Sequence, residues 1–573
     1  MPAAIAKLKT QRASLPTFAP LLALAVFVVP VLAGLAFTIL PAFGYLPALG
    51  GNSFSFEPFR SLAATPGIWA SLRLSITTGF AATILALGIT SLILAGWHGT
   101  AAFRAIERLL SPLLSVPHAA AAFGVAFLIA PSGWIARLFS PWATGWDRPP
   151  DALIVQDPEG LSLILGLVVK EVPFLLLMSL ASLPQARAND RMRVARALGY
   201  TRATGWLKTV FPAVYAQVRL PVYAVLAFSL SVVDVAMILG PSTPPTLAVR
   251  MVDWMSDPDL SLRFQAAAAA LVQFGLVAAG LLIWRGGELV IARIGNGWAQ
   301  SGSRGTRLEP FIRTGGIVLG ICSSLIVVAG LVALALWSVA GTWRFPDAFP
   351  EFSLTTWMRH APALGAEMFD TVLIASLATS IAVLITIACL EAEHRNGSSP
   401  TSRSLVFLYI PLLVPQVAFL MGLQTLTIVS GIDPSRAPVV FVHLVFVLPY
   451  VFLSLSGPWR AWDERYSTIS SALGASRART LFLVRMPMLL RAILTASAIG
   501  FAVSVGQYLP TLLIGGGRVP TLTTEAVALA SGNDRRLIGL TAILQTATVF
   551  LPFLLAYAVP RFVFRNRTGL IHG

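Results

Sequence analysis

Repeated apolar runs with the length of a transmembrane helix, about 20 residues, limit the possible folds of this chain more than any other feature. Examples are Leu21–Leu40, Leu220–Leu239 and Ile317–Trp337. At about 1.5 Å per residue, each run is long enough as an α-helix to cross the ~30 Å hydrocarbon core of a bilayer. Charged residues make up 12% of the 573 residues, whereas soluble proteins contain about 25%. The sequence therefore predicts an all-α polytopic membrane protein and excludes a soluble enzyme.

The apolar runs predict twelve membrane spans. These cover residues 18–40, 71–96, 109–130, 161–183, 217–239, 265–284, 315–339, 369–390, 404–430, 437–457, 488–514 and 537–559. Arginine is concentrated in two loops that follow even-numbered spans, 185–212 and 460–487. Because short loops rich in Lys and Arg stay in the cytoplasm, both termini are predicted to be cytoplasmic in a bacterial inner membrane. Topology thus explains the net charge of +16, and the expected partners are membrane lipid and proteins, with no nucleic acid.

The chain is predicted to be an internal duplication. Residues 195–199 have the sequence ARALG and residues 470–474 have SSALG, and a proline follows each glycine after 13 residues. A proline and a glycine spaced by seven residues also occur twice, as Pro117/Gly124 and Pro415/Gly422. Six spans separate equivalent positions, so the repeat is parallel, with a pseudo-twofold axis along the membrane normal.

This repeat defines the predicted domain organisation. Each half contains six transmembrane helices. The first half covers residues 1–285, the second covers residues 314–573, and the polar segment 286–313 between them is predicted to be a cytoplasmic linker.

The duplicated cytoplasmic loop has the pattern of two short helices joined at a glycine. The first short helix ends at Gly199 or Gly474, because glycine adopts the positive φ that a sharp turn needs. The second short helix is followed by Pro212 or Pro487. Because proline is tolerated in the first turn of a helix, each proline is predicted to open the next membrane helix. Two such protrusions suit a symmetric cytoplasmic dimer. A loop that only obeys the positive-inside rule would explain the arginines but not the repeated spacing.

The pattern Ala-x-x-x-Gly, with proline 13 residues later, resembles the EAA loop of permease subunits of binding-protein-dependent ABC importers. The chain resembles most the fused, two-half permeases of the ferric-iron and thiamine type. The matching residues are Ala195, Gly199 and Pro212 in the first loop and Ser470, Gly474 and Pro487 in the second. Arg193 and Thr468 stand where the family has a glutamate, so we expect acidic groups on the partner surface that faces Arg193.

The resemblance implies a type I, MetI-like permease fold, in which the two loops are coupling helices that dock into two copies of a cytoplasmic ATP-binding subunit. It also implies a periplasmic solute-binding protein, for which the outer loop 131–160 offers room to dock. A small polar solute would then enter the cytoplasm by alternating access. For this family, a thiamine-like cation or ferric ion is the expected solute.

No ATPase site is predicted in this chain. A phosphate-binding loop needs a lysine in the pattern G-x-x-x-x-G-K-[ST], and none of the four lysines stands in such a run. The chain is therefore expected to be a transport subunit without a cofactor of its own, and its partners are expected to bind ATP-Mg. No metal site is predicted either, because the histidines lack partners at ligand spacing.

Ionisable side chains inside a span are candidates for the transport pathway. Lys170 and Glu171 lie near the middle of the fourth span, and charges at that depth usually face a cavity or a partner. Residues adjacent in sequence point in different directions on a helix, so Lys170 is predicted to pair with Asp234 of the fifth span. A structural ion pair and a role in the pathway are equally compatible with the sequence.

Polar residues beside helix-breaking positions form a second set of pathway candidates. His118 and Gln416 follow the equivalent prolines of the third and ninth spans. Because proline leaves a backbone carbonyl without its helical hydrogen bond, polar groups there can line a pore. Gln507 and His443 are weaker candidates of the same kind. For each of them, a hydrogen bond between helices is the alternative.

A secondary transporter is the alternative function, because such proteins are also built from two six-span halves. A secondary transporter has no need of two symmetric helix–turn–helix loops, and it usually carries acids for its coupling ion in broken helices. A membrane-embedded enzyme would need a cluster of His, Asp or Cys residues, and the six histidines are scattered along the chain.

Overall fold

A computed structural model describes residues 15–105, 107, 115–305, 307–396, 402–532 and 534–565. α-Helices form nearly all of the regular structure in these ranges. A short hairpin pairs β1 (Tyr45–Leu46) with β2 (Gly51–Asn52), with Tyr45 opposite Asn52. The all-α prediction is confirmed.

The helices follow one another along the chain with short connections. Those of the first half are α1 (Leu15–Ala42), α2 (Glu57–Ala64), α3 (Ile68–Trp97), α4 (His118–Ile129), α5 (Trp134–Phe139), α6 (Leu161–Ser182), α7 (Ala188–Ala197), α8 (Arg202–Gly205), α9 (Phe211–Ser231), α10 (Asp234–Leu239), α11 (Leu247–Ser256) and α12 (Leu262–Gln300). Those of the second half are α13 (Glu309–Ser338), α14 (Thr355–His360), α15 (Gly365–Asn396), α16 (Ser402–Leu413), α17 (Gln416–Val429), α18 (Arg436–Arg460), α19 (Glu464–Ala472), α20 (Arg477–Thr480), α21 (Met486–Met488), α22 (Leu490–Val505), α23 (Leu509–Gly515), α24 (Leu522–Ala528) and α25 (Arg535–Val563).

The number of membrane-spanning helices agrees with the predicted one. In the part of the chain that the structure describes, ten helices are long and apolar enough to cross a membrane, and two bent helix pairs raise the number to twelve. One pair turns by 92° between α16 and α17, and the other turns by 74° between α21 and α22. The start of the third predicted span, before Ser115, falls largely outside the described residues.

Two spans that the sequence predicts as continuous helices are interrupted at matching positions. The helical path of the fifth span stops at Ser231 and resumes at Asp234, and that of the eleventh stops at Val505 and resumes at Leu509. Irregular backbone at membrane depth is tolerated only where protein or a water-filled cavity surrounds it. The breaks therefore lie in the interior of the bundle, where the transport pathway is expected.

Most of the segment predicted as a polar linker is helical. Helix α12 continues to Gln300 and α13 begins at Glu309, so the non-helical connection is much shorter than the predicted segment 286–313. The buried carboxylate of Glu288, inside this segment, accepts hydrogen bonds from the hydroxyls of Tyr215 at 2.7 Å and Tyr223 at 3.1 Å. These contacts join α12 to α9 at this point. The domain boundaries themselves stay a prediction.

The two halves interlock through glycines. Helix α1 packs on α17 of the other half, and α13 packs on α4. A Cβ atom added to Gly422 would lie 1.8 Å from the carbonyl oxygen of Gly34, and one added to Gly330 would lie 2.9 Å from the carbonyl carbon of Gly124. Small residues let transmembrane helices approach this closely. The glycines of the repeated proline–glycine pairs are thus the crossing points between halves.

Candidate coupling loops and transport pathway

The first coupling loop, defined as residues 188–205, turns at a glycine as predicted. Helix α7 ends at Ala197, and Gly199 has a φ of +83°, a backbone conformation that strains residues with a side chain. Helix α8 then starts at Arg202. The second coupling loop, residues 464–480, repeats this geometry, and its Gly474 has a φ of +80°.

The two short helices of each loop pack through one small contact. In the first loop, buried Ala195 faces Gly205, where an added Cβ would lie 3.2 Å from the Cβ of Ala195. In the second loop, the hydroxyls of Ser470 and Thr480 at these positions form a hydrogen bond of 2.8 Å. Ala195 and Ser470 therefore pack the two short helices of their loops together.

Pro212 and Pro487 occupy matching places after a widened helical turn. The backbone N–H of Phe211 donates to the carbonyl of Trp206, and that of Met486 donates to Leu481, both in π-helical geometry. Each proline follows directly and lacks an N–H of its own. In the first half the helix runs without a gap from Arg202 through this turn into α9. Each proline therefore lies at the start of the regular α-helix, as predicted, but in the first half helical backbone already precedes it.

Each coupling loop exposes one pair of apolar side chains, a feature that the sequence analysis missed. Val194, in α7, is 60% exposed, and Leu198, directly after α7, is 56% exposed. Their counterparts in the second loop, Ile469 and Leu473, are 57% and 82% exposed. Residues four apart lie on one face of a helix, so each pair forms a small apolar surface. The signal was present in the sequence as two matching apolar pairs in otherwise polar loops.

The residues in place of the family's glutamate lie on the outside of the loops. Arg193 pairs with Asp190 one turn away, and both side chains are largely exposed. Thr468 donates its hydroxyl hydrogen to the carbonyl of Glu464 at 3.1 Å. Neither residue contributes to the packing of its loop, and Arg193 leaves a positive charge on the surface.

The connection between the halves holds the first coupling loop in place. The carbonyl of Arg304 accepts the N–H of Thr201 at 2.8 Å. The ammonium group of Lys208 donates to the carbonyl of Ser303 at 2.8 Å and lies 4.8 Å from the ring centre of Trp298. A segment that the sequence predicts to be a linker is thus part of the support of this loop.

The second coupling loop is supported differently. Buried Arg485 pairs with Glu391 of α15 at 3.3 Å and donates to the carbonyl of Trp459 at 3.1 Å, with its guanidinium 4.6 Å from the indole ring centre. His394 of α15 contacts the carboxylate of Glu464 at 3.1 Å. The two coupling loops therefore have similar shapes, but different parts of the chain hold them in place.

Lys170 and Glu171 lie in the middle of α6 and are both 5% exposed. The ammonium group of Lys170 donates to the carbonyl of Val116 at 2.6 Å, directly before Pro117 at the start of α4. This carbonyl lies in the irregular backbone before α4, as expected for polar groups beside the proline. Among the ion pairs of the described residues, none joins Lys170 to Asp234, so the predicted pairing is not formed. The break in the fifth span places Asp234 at the start of a separate helix, α10.

The two intramembrane acids of the first half lie near tyrosines of the second half. Glu171 is within electrostatic range of the hydroxyl of Tyr450, and Asp234 is within range of that of Tyr508. The hydroxyl of Tyr508 also reaches the sulfur of Met237 in α10 at 3.5 Å. The contact of Tyr508 with Met237 joins the second half to α10, the short helix that begins at Asp234.

The other polar candidates fall into two groups. His118 lies within electrostatic range of Lys170 and packs on Phe228 with ring centres 5.0 Å apart, and its buried Nδ1 has no hydrogen-bond partner in the described chain. Gln416 and Gln507 are half-buried at helix breaks. His443, in contrast, is held through both ring nitrogens, by Ser504 and Thr511 at 2.8 Å each.

His443 therefore forms hydrogen bonds between helices, which is the alternative to a place in the transport pathway. Within the described ranges, no group of three His, Cys, Asp or Glu side chains is placed to hold a metal ion.

Comparison with known proteins gives the family. Residues 385–565 match the family of binding-protein-dependent transport system inner membrane components. The chain is 33% identical to the inner membrane ABC transporter permease protein YnjC of Escherichia coli over 90% of this chain and 93% of that protein. It is 24% identical to the thiamine transport system permease protein ThiP of Salmonella typhimurium, over 79% of this chain and 82% of that one.

A shorter relative is the molybdenum transport system permease protein ModB of Mycobacterium tuberculosis, 28% identical over 33% of this chain and 75% of that protein. The near-complete match to a two-half permease and the duplicated coupling loops favour an ABC importer over a secondary transporter. The chain belongs to the permease subunits of binding-protein-dependent ABC importers.

Proposed function

We propose that this permease binds two copies of a cytoplasmic ATP-binding subunit, one on each coupling loop, and that those subunits bind ATP-Mg. The single observation that carries the proposal is the matched pair of exposed apolar surfaces, Val194/Leu198 and Ile469/Leu473. Exposed apolar pairs on a polar loop are typical of an interface. Their repetition at equivalent positions fits two copies of one partner.

The coupling loops define the cytoplasmic side in this proposal. The first loop carries several arginines, which the positive-inside rule places in the cytoplasm. Because an even number of spans separates each terminus from a coupling loop, both termini are cytoplasmic too. The loop 131–160 then lies in the periplasm, where exposed Trp142 and Trp146 offer a docking surface for the solute-binding protein.

The solute passes between the halves, where the buried acids Glu171 and Asp234 lie within electrostatic range of Tyr450 and Tyr508 of the other half. Acids and tyrosines in the same region of the bundle suit an organic cation, since carboxylates supply charge and aromatic faces can supply cation–π contacts. This favours a thiamine-like cation within the class of small polar solutes. Alternating access exposes these groups first to the periplasm and then to the cytoplasm.

The turn glycines test the docking proposal. We expect Gly199→Val and Gly474→Val to weaken retention of the co-expressed ATP-binding subunit during purification, because a β-branched residue at positive φ costs roughly 1–2 kcal/mol or distorts the turn. The double variant should lose the subunit and solute-stimulated ATP hydrolysis altogether. Membrane insertion should persist, since both glycines lie outside the spans.

Gly457→Val is the matched control, because an added Cβ there meets nothing within 4 Å and its φ lies outside the positive region. A double variant of Gly199 and Gly474 that copurifies with the subunit and transports normally would refute the coupling-loop assignment.

A further inference from the structure

A cavity of about 60 Å³ lies between α1, α12 and α17. It is at the end of the bundle away from the coupling loops, because α3 runs from this end to His98, whose carbonyl accepts a hydrogen bond from Arg202. Its walls are mostly apolar, and the polar residues among them are Thr38, Arg263 and Thr425. The volume holds roughly four water-sized or methylene-sized groups.

The equivalent place in the other half is filled by aromatic rings. There the crossing of α13 and α4 at Gly330 and Gly124 corresponds to the crossing of α1 and α17. Next to it, the guanidinium of Arg535, the first residue of α25, lies over the rings of Phe127 and Trp337, 5.7 and 5.3 Å from their centres. It also donates to the carbonyl of Ser132 at 3.3 Å.

Counting from the crossing glycines shows why the first site is open. Trp337 follows Gly330 by seven residues, and the residue seven after Gly34 is Pro41. Phe127 follows Gly124 by three, and the residue three after Gly422 is Thr425. Both replacements line the cavity. Pro41 and Thr425 are smaller than the rings of Trp337 and Phe127 at the equivalent positions. Space therefore remains beside Arg263.

Arg263, near the start of α12, is the polar group of this cavity that lacks a partner. Its buried Nε has no hydrogen-bond acceptor in the described chain. The hydroxyl of Thr38 already donates to the carbonyl of Ala418 at 2.7 Å, and that of Thr425 donates to Met421 at 3.1 Å. A buried donor without an acceptor is costly, and a guanidinium is well suited to bind two oxygens of a phosphate.

We propose that this cavity is a phospholipid site, with the lipid phosphate on Arg263 and the adjoining part of one acyl chain in the apolar space. The position favours a lipid over a soluble anion, because the cavity adjoins Ile428 and Val429, which are exposed at the end of a membrane span. The rest of the chain runs along these side chains in the bilayer. The site does not depend on which solute the permease moves.

The test is lipid binding to the purified, delipidated full chain in detergent, measured by native mass spectrometry during titration with phosphatidylglycerol. We expect Arg263→Gln to weaken the tightest binding step at least tenfold, since the charged contact is lost. Thr425→Phe should have the same effect, because it restores the ring found in the filled site. Binding of sn-glycerol 3-phosphate, which lacks acyl chains, should be undetectable at the same concentrations.

Two control variants separate this effect from damage to the fold. Thr425→Val keeps the size of the side chain and should bind as the unmodified protein does, and Arg359→Gln removes an exposed charge outside the cavity. Equal lipid binding by Arg263→Gln, Thr425→Phe and the controls would overturn the proposal. Tight binding of sn-glycerol 3-phosphate would also overturn it, because the site would then recognise a free anion.

Discussion

One carboxylate oxygen of Glu309 accepts a hydrogen bond from the backbone N–H of Ala203 at 2.8 Å. Glu309 thus caps helix α8, which begins at Arg202, 107 positions earlier in the chain. Its second oxygen accepts the hydroxyl of Thr201 at 2.9 Å. A carboxylate at a helix N-terminus satisfies free N–H groups and matches the positive end of the helix dipole. The first residue of α13 thus holds the start of α8 in the first coupling loop.

Removing this cap should loosen only the first loop. We expect Glu309→Ala to lower the stability of the loop by about 1 kcal/mol, the usual cost of a lost helix cap, and to reduce solute-stimulated ATP hydrolysis without preventing insertion. Hydrogen exchange of residues 199–205 measures the effect directly. Glu309→Gln, which keeps an acceptor oxygen, should show a smaller change. Unchanged exchange in Glu309→Ala would contradict the role of the cap.

The exposed leucines of the loops give a second prediction. Leu198→Ser and Leu473→Ser should each weaken retention of the ATP-binding subunit, because burying a leucine side chain at an interface contributes about 1.5–3 kcal/mol to binding. The thermal stability of the permease alone should hardly change, because these side chains are already exposed. Leu354→Ser changes an equally exposed leucine near the opposite end of the bundle and should have no effect. Equal retention by all three variants would place the docking surface elsewhere.

Features with a local cause could be predicted from the sequence. Span number follows from apolar run length, and the positive φ of Gly199 and Gly474 follows from the need for a turn after a short helix. Contacts between distant segments could not be predicted in this way. The pairs Glu309–Ala203 and Arg485–Glu391 join residues about 100 positions apart, and no periodicity marks them.

The same limit explains the error in the pathway. The sequence showed that Lys170 needs a partner inside the membrane, and it offered Asp234 as a plausible charge. The structure supplies a backbone carbonyl, that of Val116, instead. A backbone carbonyl directly before the start of a helix carries no signal in the pattern of charged side chains, so this partner could not be predicted.

Substitution of the intramembrane charges tests whether they act in transport. We expect Glu171→Gln to lower transport roughly tenfold, which corresponds to ~1.4 kcal/mol, because an amide of the same shape lacks the charge near Tyr450. Insertion and copurification of the ATP-binding subunit should persist. Uptake of radiolabelled thiamine by membrane vesicles loaded with the binding protein is the measurement. Lys170→Met tests the other charge separately, and normal uptake by both variants would indicate that both charges are purely structural.

Asp157 makes the stability of the start of α6 depend on pH. Its carboxylate accepts the N–H groups of Leu161 at 2.7 Å and Ser162 at 2.8 Å at the start of α6. Burial alone would raise the pKa of Asp157, but these bonds and the hydroxyl of Ser162 bring the pKa below its usual value. A lowered pKa means that the stabilisation is present above the unfolded pKa of about 3.9 and is lost as the pH falls through the folded pKa.

We therefore expect Asp157→Asn to lower the melting temperature of the purified permease at pH 7, with a loss of about 0.5–2 kcal/mol. The difference from the unmodified protein should begin to shrink below about pH 4, where Asp157 is protonated in the unfolded chain, and should vanish only below its lower folded pKa. Glu159→Gln, in the same loop, provides a control for a change of charge alone. A difference that stays constant down to pH 3 would exclude ionisation of Asp157 as its cause.

The glycine crossings between halves yield the last prediction. An added Cβ at Gly422 would lie 1.8 Å from the oxygen of Gly34 and 2.5 Å from the hydroxyl of Thr38, so α1 and α17 must separate. At Gly124 the nearest atom would be 3.0 Å away, and at Gly88 nothing lies within 4 Å. Overpacking typically costs 1–3 kcal/mol, whereas replacing an exposed helical glycine by alanine gains about 0.5–1 kcal/mol. The expected order of melting temperatures is therefore Gly88→Ala above the unmodified protein, then Gly124→Ala, then Gly422→Ala. If Gly422→Ala melted as high as Gly88→Ala, the close crossing of α1 and α17 would not hold the two halves together.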